Sequence, residues 1–286
     1  MSTQPPKPQP QSDTVKTSGD IYGLGRSGGQ RGAEILAGLR AISTPSPEAA
    51  ALSTMMGRLI TRTLISMLRN KGAINYVFAR SAAYENRLRQ ELKDAPEGAL
   101  LVEIAAGLSP RGLTMAREFP HIQVIDIDQQ DVVDAKRQRI ENSRLNVPSN
   151  LTFVGIDLGV EDLQSYLDGR KAYAIAAEGL VGYLDETEFD FLLSNIYRSL
   201  RPNGLFVADI SRKHGIGEAM EHGGRIFSRQ AGRFKVMYED EQSLRDVLQA
   251  AGFKDIVFQL PSSVAKANKL DLPVIDIAWV VSSRKA

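Results

Sequence analysis

Residues Ala99–Gly112 read ALLVEIAAGLSPRG. An apolar run, Leu100–Ile104, carries one acid, Glu103, and runs into the small residues Ala105-Ala106-Gly107. Pro110 then suits the first turn of a helix. The pattern is strand, tight loop, helix. Small side chains at the carboxyl end of a first strand let a ligand approach the backbone closely.

The rest of the chain follows from that strand. Ile122–Asp128 (IQVIDID) is the expected second strand, followed by a helix over 130–144. Leu151–Asp157 (LTFVGID) is the third, with a short helix over 161–167, and Ala172–Glu178 (AYAIAAE) is the fourth. Asp185 and Glu188 have capping-box spacing, ahead of an apolar face of Phe189, Leu192, Leu193, Ile196 and Leu200. Pro202-Asn203-Gly204 turns the chain into a fifth strand, Leu205–Ser211. A helix over 242–251 stops at Gly252, and strands over 255–260 and 274–281 close the chain. The connection between these last two shows no helical periodicity, so they are read as an antiparallel pair. A nicotinamide-dependent Rossmann dehydrogenase would continue with parallel units. The expected fold is therefore α/β: a Rossmann-like class I methyltransferase sheet of seven strands, mostly parallel, with an antiparallel last strand and an N-terminal helical extension.

Three regions are expected. Residues 1–32, with Pro5, Pro6, Pro8, Pro10 and six glycines, read as a flexible tail. Residues 33–95 read as a helical prelude that caps an acceptor pocket. Within it a helix covers 33–43. A longer one starts at Ser46-Pro47-Glu48, and Leu52, Met55, Met56, Leu59, Ile60, Leu64, Met67 and Leu68 recur along it at helical spacing. Gly72 is its expected stop, and a further helix covers 74–92. Arg58, Arg62 and Arg69 lie on another stripe, either solvated or anchoring an anion. Residues 96–286 read as the cofactor-binding domain.

Composition narrows the function. The 286 residues are 43% apolar and 24% charged, which permits a full core. A net charge of +1 gives no electrostatic case for nucleic acid or a membrane surface as partner. The absence of cysteine removes disulfides, thiolate catalysis and cysteine-ligated metals. With three histidines, no metal site is expected. No apolar run reaches the ~18 residues of a membrane span. No apolar signal core precedes the prelude, so a cytoplasmic location is expected.

The strand ends carry the candidate chemistry. The loop lacks GxGxxG, which argues against a pyrophosphate cradle. Ala105 and Gly107 leave room for the sulfonium and methionine portion of S-adenosylmethionine. Glu103 either receives the ligand ammonium or caps a nearby N–H. Asp126 and Asp128 are read as pointing to opposite faces of the strand, so only one is expected at the ribose. Asp128, nearer the strand end, is chosen. Asp157 suits the adenine amine, and Leu158 the ring. Glu178 holds the methionine ammonium or lines the transfer channel. Tyr183 binds the acceptor or is simple packing. His214 and His222, after strand five, are candidate bases or exposed loop histidines; Arg212, Lys213 and Arg225 in the same stretch would suit an acceptor carboxylate.

In order and spacing, FARSAAYE (78–85), VEIAAGLSPRG (102–112), DIDQQDVVDAK (126–136), VGIDL (154–158) and AAEGLVGYL (176–184) resemble the leucine carboxyl methyltransferase family. Its members include protein phosphatase carboxyl methyltransferases and bacterial enzymes acting on polyketides and other small molecules. The resemblance implies S-adenosylmethionine as cofactor and Arg80 as partner of its methionine carboxylate. Ala105 and Gly107 stand at the family's two loop glycines, and Arg111 at the arginine that follows. Asp128 stands at the ribose acid, Lys136 at a recurrent lysine, Asp157 and Leu158 at the adenine pair, and Glu178 and Tyr183 in the strand-four run. Ser109-Pro110 replaces the family's Asp-Thr. The implied activity is O-methylation of a carboxylate or hydroxyl on a small metabolite. The competing expectations are the dehydrogenase and a non-catalytic methyltransferase-like binder. The expected partner is a small-molecule acceptor, with a homodimer left open.

Overall fold

The computed structural model describes residues 36–42, 46–67, 71–158, 161–222, 234–267 and 273–286. The expected tail, 1–32, lies outside them, as do Leu68, Arg69 and Arg225. Strands β1 (Leu100–Ile104), β2 (Gln123–Asp128), β3 (Leu151–Gly155), β4 (Ala172–Ala177) and β5 (Leu200–Arg212) pair in parallel. A two-residue strand, β6 (Met237–Tyr238), pairs with the end of β5. The chain finishes with β7 (Phe253–Gln259) and β8 (Ala278–Lys285). The sheet order is β3-β2-β1-β4-β5-β8-β7, with β8 antiparallel to both its neighbours. The closing antiparallel strand thus inserts between β5 and β7. The dinucleotide-binding Rossmann sheet instead runs in the order 3-2-1-4-5-6.

Central strands buried on both faces need apolar residues at every position, not in alternation. In β1, Leu100, Val102 and Ile104 join one core with Ile125, Ile127, Ile175, Phe206 and Trp279. Leu101 faces a second core with Leu88, Leu92, Leu113, Val124 and Val207. The three charges on this second face, Glu103, Asp126 and Asp209, are 0%, 1% and 7% exposed. Each must find a partner or destabilise the fold. A third, smaller core of Tyr76, Ile216, Ala219, Ile275 and Ile277 lies beside the carboxyl end of β5.

The helical region before the sheet departs from expectation. The long helix breaks into Pro47–Leu52 and Met55–Met67. Ser46 Oγ caps the first, accepting from Ala49 N at 3.0 Å. Ser53 is extended, and Thr54 Oγ1 starts the second by accepting from Gly57 N at 2.8 Å. Two cap-forming residues in succession offered the backbone an alternative that the apolar periodicity concealed. Gly72 opens the next helix, Gly72–Leu92, rather than ending the previous one. The apolar stripe divides: Leu52 is buried in the second core, while Met55, Met56, Leu59 and Ile60 are 46–80% exposed. The helix packs through its small face instead. Gly57 and Thr61 approach Gly38 of helix 36–42 so closely that a Cβ on Gly38 would stand 2.9 Å from Gly57 O.

Smaller corrections fall in the second half. The capping box at Asp185 and Glu188 forms, at 2.9 and 2.7 Å. The Pro202-Asn203-Gly204 turn lies within β5 as an irregularity, with Asn203 at φ 59°. Residues 213–222, read from sequence as loop, form a helix. The link between the last two strands contains a helix, Pro261–Ala267, too short to carry a readable period. The final strand lies four residues later than expected.

Candidate active site

The site lies at the carboxyl ends of β1, β2, β4 and β5. Its centre is Glu178, the residue after β4. Three guanidiniums converge on its carboxylate. Arg80 donates Nε to Oε1 at 3.1 Å and sets Nη2 3.0 Å from the same oxygen. Arg111 donates Nη1 to Oε2 at 2.6 Å. Arg40, from helix 36–42, sits 3.2 Å from Oε1. Ser81 Oγ adds a bond at 2.9 Å. Burial alone would raise the pKa of Glu178, but the three arginines override it and hold the carboxyl well below the usual range.

Two further carboxylates balance the cluster. Glu103 Oε1 accepts from Arg111 Nε at 2.8 Å. Having no exposed surface, Glu103 acts on the site through that guanidinium. Its pKa is raised, first by burial and then by Asp126 alongside, with Arg111 opposing. Asp209, on β5, accepts from Arg80 Nη1 at 2.9 Å, Tyr84 Oη at 3.0 Å and Gly179 N at 2.6 Å. Burial would lower the Arg80 pKa; Asp209, Tyr76 and Glu178 raise it well above its ordinary value. Arg40, Arg80 and Arg111 thus face Glu103, Glu178 and Asp209, three charges of each sign, nearly dry.

The β1 loop and the end of β2 form the second part. Ala105 and Gly107 both adopt φ 51°. This left-handed turn lays the loop over Asp128. Asp128 Oδ2 accepts from Gly107 N at 2.7 Å and Oδ1 from Gln129 N at 2.8 Å. Each oxygen keeps a lone pair for a further donor. Burial pushes the Asp128 pKa up, against the pull of the two N–H groups. A Cβ on Gly107 would meet nothing within 4 Å among the described residues.

Asp126 shares a face with Asp128, being two residues away on one strand. Depth separates them. Asp126 is buried, with Lys136 Nζ 2.6 Å from Oδ2. It is a structural charge, and the recurrent lysine is its partner. Asp157 is half-buried; its backbone N donates to Glu161 Oε1 at 2.8 Å. Leu158 is 6% exposed and belongs to the first core. Tyr183 is half-buried, its ring centroid 5.1 Å from that of Phe234. His214 is exposed in the first turn of helix Lys213–His222. His222 ends that helix, and its side chain lies outside the described residues. The structure thus brings Arg80, Glu103 and Glu178 into one cluster, and Ala105, Gly107 and Asp128 into the loop beside it.

Asp209, Tyr84 and Arg40 were missed from sequence. A lone acid inside the apolar strand Leu205–Ser211 was the available signal for Asp209. Arg80 and Tyr84 are four apart and share a helix face. Nothing marked Arg40.

The donor set fits an adenosyl amino acid. Arg80 and Glu178 match a carboxylate and an ammonium on one carbon, and Asp128 matches a pair of hydroxyls. Sheet and site together define a class I methyltransferase. Among solved structures, a possible exported protein of Bordetella parapertussis aligns at TM-score 0.56 and 15% identity, over 90% of this chain and 95% of its own. Magnesium protoporphyrin IX methyltransferase of Synechocystis, holding S-adenosylhomocysteine, aligns at 0.51 and 13%, over 81% and 95%. A Haemonchus contortus phosphoethanolamine N-methyltransferase aligns at 0.50 and 12%, over 86% and 59%. At these identities the likeness establishes the fold. No curated protein sequence matches the chain. The leucine carboxyl methyltransferase model matches residues 48–197, more than half the chain, and the protein belongs to that family. It is a methyltransferase, with S-adenosylmethionine as its cofactor. Among the described residues no helix is long and apolar enough to cross a membrane.

Proposed function

We propose that the protein methylates an oxygen, carboxylate or hydroxyl, on a small-molecule acceptor. The observation that carries this reading is the Arg80–Glu178 pair beside the Ala105–Gly107 loop. In this reading Arg80 takes the methionine carboxylate and Glu178 the ammonium. Asp128 accepts from the ribose hydroxyls, Asp157 from the adenine amine, and Leu158 packs on the ring. The cofactor supplies an electrophilic methyl whose bond to sulfur breaks towards sulfur, leaving a neutral thioether that needs no acid. The protein's part is alignment and partial exclusion of water.

A carboxylate acceptor is ionised at neutral pH and needs no base. A hydroxyl must lose a proton, and His214, His222 or Tyr183 would then serve at the acceptor side. The family's description favours the carboxylate. Residues 33–95 act as the acceptor cap in this reading, and a cytoplasmic location belongs to it.

The test is transfer of labelled methyl from S-adenosylmethionine to fractionated small-molecule extract. The reading expects label in a small organic product that mild base releases as methanol, as a methyl ester does. Base-stable label would move the acceptor to a hydroxyl. Label confined to protein, or no transfer to any fraction, would overturn it.

A further inference from the structure

We infer that Asp209, beyond the stretch matched by the family model, is a positioning residue that holds Arg80 at the amino-acid end of the cofactor site. The inference rests on the reading that Arg80 takes the methionine carboxylate.

The Arg80 guanidinium is divided between two carboxylates. Two of its nitrogens, Nε and Nη2, point at Glu178 Oε1. The third, Nη1, points at Asp209 Oδ2. A bound amino acid brings one negative and one positive group on the same carbon. Its carboxylate suits the paired nitrogens, and its ammonium suits the carboxylate they release. The zwitterion therefore inserts between Arg80 and Glu178, replacing one ion pair by two without changing the net charge of the cluster. Arg111 and Ser81 keep Glu178 in place during this exchange. Asp209 does the same for Arg80, as its one carboxylate partner besides Glu178 among the described residues, with the neutral Tyr76 ring 5.3 Å from the guanidinium carbon.

Asp209 is built for this. It is 7% exposed, on a strand in the middle of the sheet. Its other oxygen accepts from Gly179 N, directly after Glu178, and lies 3.0 Å from Tyr84 Oη, one turn along the helix from Arg80, whose single proton it shares with Ala177 O at 2.7 Å. One carboxylate thus fixes the helix that carries the cation and the loop that carries the anion. Without it, the one charge left facing Arg80 among the described residues would be Glu178, the partner it must leave, with the neutral Tyr76 beside it.

Asp209→Asn tests this. The amide oxygen can still accept from Gly179 and Tyr84, but the charge facing Arg80 is lost. Binding of S-adenosylhomocysteine is compared by calorimetry with binding of 5′-methylthioadenosine, which has the nucleoside and no amino acid. The variant should bind S-adenosylhomocysteine about tenfold more weakly or worse, with 5′-methylthioadenosine within about twofold of wild type. An equal loss for both ligands, or none for either, would overturn the inference. Tyr84→Phe, which removes the hydroxyl shared between Asp209 and Ala177 O, should shift the same ratio in the same direction by a smaller factor; it supplies the test if Asp209→Asn does not fold, and an unchanged ratio then counts against the inference. Wild-type protein that binds neither ligand would overturn the cofactor reading itself, a separate outcome.

Discussion

Replacing Glu178 by glutamine keeps the shape of the side chain and removes its charge. Three guanidiniums and three carboxylates would become three and two. Arg111 would keep Glu103 and Arg80 would keep Asp209, but Arg40 would lose the carboxylate it faces, with 14% of its side chain exposed. Removing one partner from a buried pair costs about 3–5 kcal/mol, because the remaining charge is left poorly compensated. For a chain of this size each kcal/mol corresponds to roughly 2–4 °C in Tm, so scanning calorimetry should record a fall of about 6–20 °C. The sign with pH follows from the depressed pKa. The stability contributed by the ionised Glu178 is fully present above the ordinary glutamate value of about 4.3 and fades as pH falls through the lower folded value. The gap between wild type and variant should therefore be constant near neutrality and narrow in strong acid. Adding Arg40→Gln to the variant removes the excess cation and should restore part of the loss. A Tm within 2 °C of wild type at neutral pH, or a second substitution that lowers it further, would refute the charge balance argued for this cluster.

Ala105 holds φ 51°, where a Cβ is strained by about 1–2 kcal/mol, so Ala105→Gly should raise stability by a few tenths to about 1 kcal/mol after the greater freedom of the unfolded chain is counted. A lower denaturation midpoint would contradict this. Gly112→Ala should do the opposite: its Cβ would lie 2.5 Å from Asp126 Cγ, and Lys136 pins that carboxylate, so about 2–4 kcal/mol should be lost in urea titrations. Because burial raises the Asp128 pKa, binding of S-adenosylhomocysteine should weaken as pH falls, starting above the ordinary aspartate value of about 3.9. Asp128→Asn should bind more weakly at pH 7 and lack that acid limb; an identical limb in the variant would assign it elsewhere.

The sheet was legible because its strands are near-continuous apolar runs punctuated by caps and turns. Ala99–Gly112 and the DID and AAE strand ends gave the site its frame for the same reason: chemistry at the ends of buried strands stands out against apolar surroundings. Depth did not show. Glu103 and Asp128 look alike in sequence, yet one lies sealed under Arg111 and the other faces the loop. The periodicity of 52–68 gave a helix but not its packing face, because Gly57 and Thr61 allow a close crossing that hydrophobicity does not record. Helix 213–222 and Pro261–Ala267 were missed because each is short and lacks a clear apolar period. Asp209 and Tyr84 act through contacts across 125–129 positions or fewer, a relation that only folding supplies.

A crystal structure with S-adenosylhomocysteine tests most directly whether the zwitterion enters between Arg80 and Glu178. The ligand carboxylate should lie on Arg80 Nε and Nη2 and the ammonium on Glu178, with the 3.0 Å Arg80–Glu178 pair opened and the 2.9 Å Arg80–Asp209 bond kept. A ligand whose amino acid lies elsewhere, with the Arg80–Glu178 pair still closed, would contradict this placement.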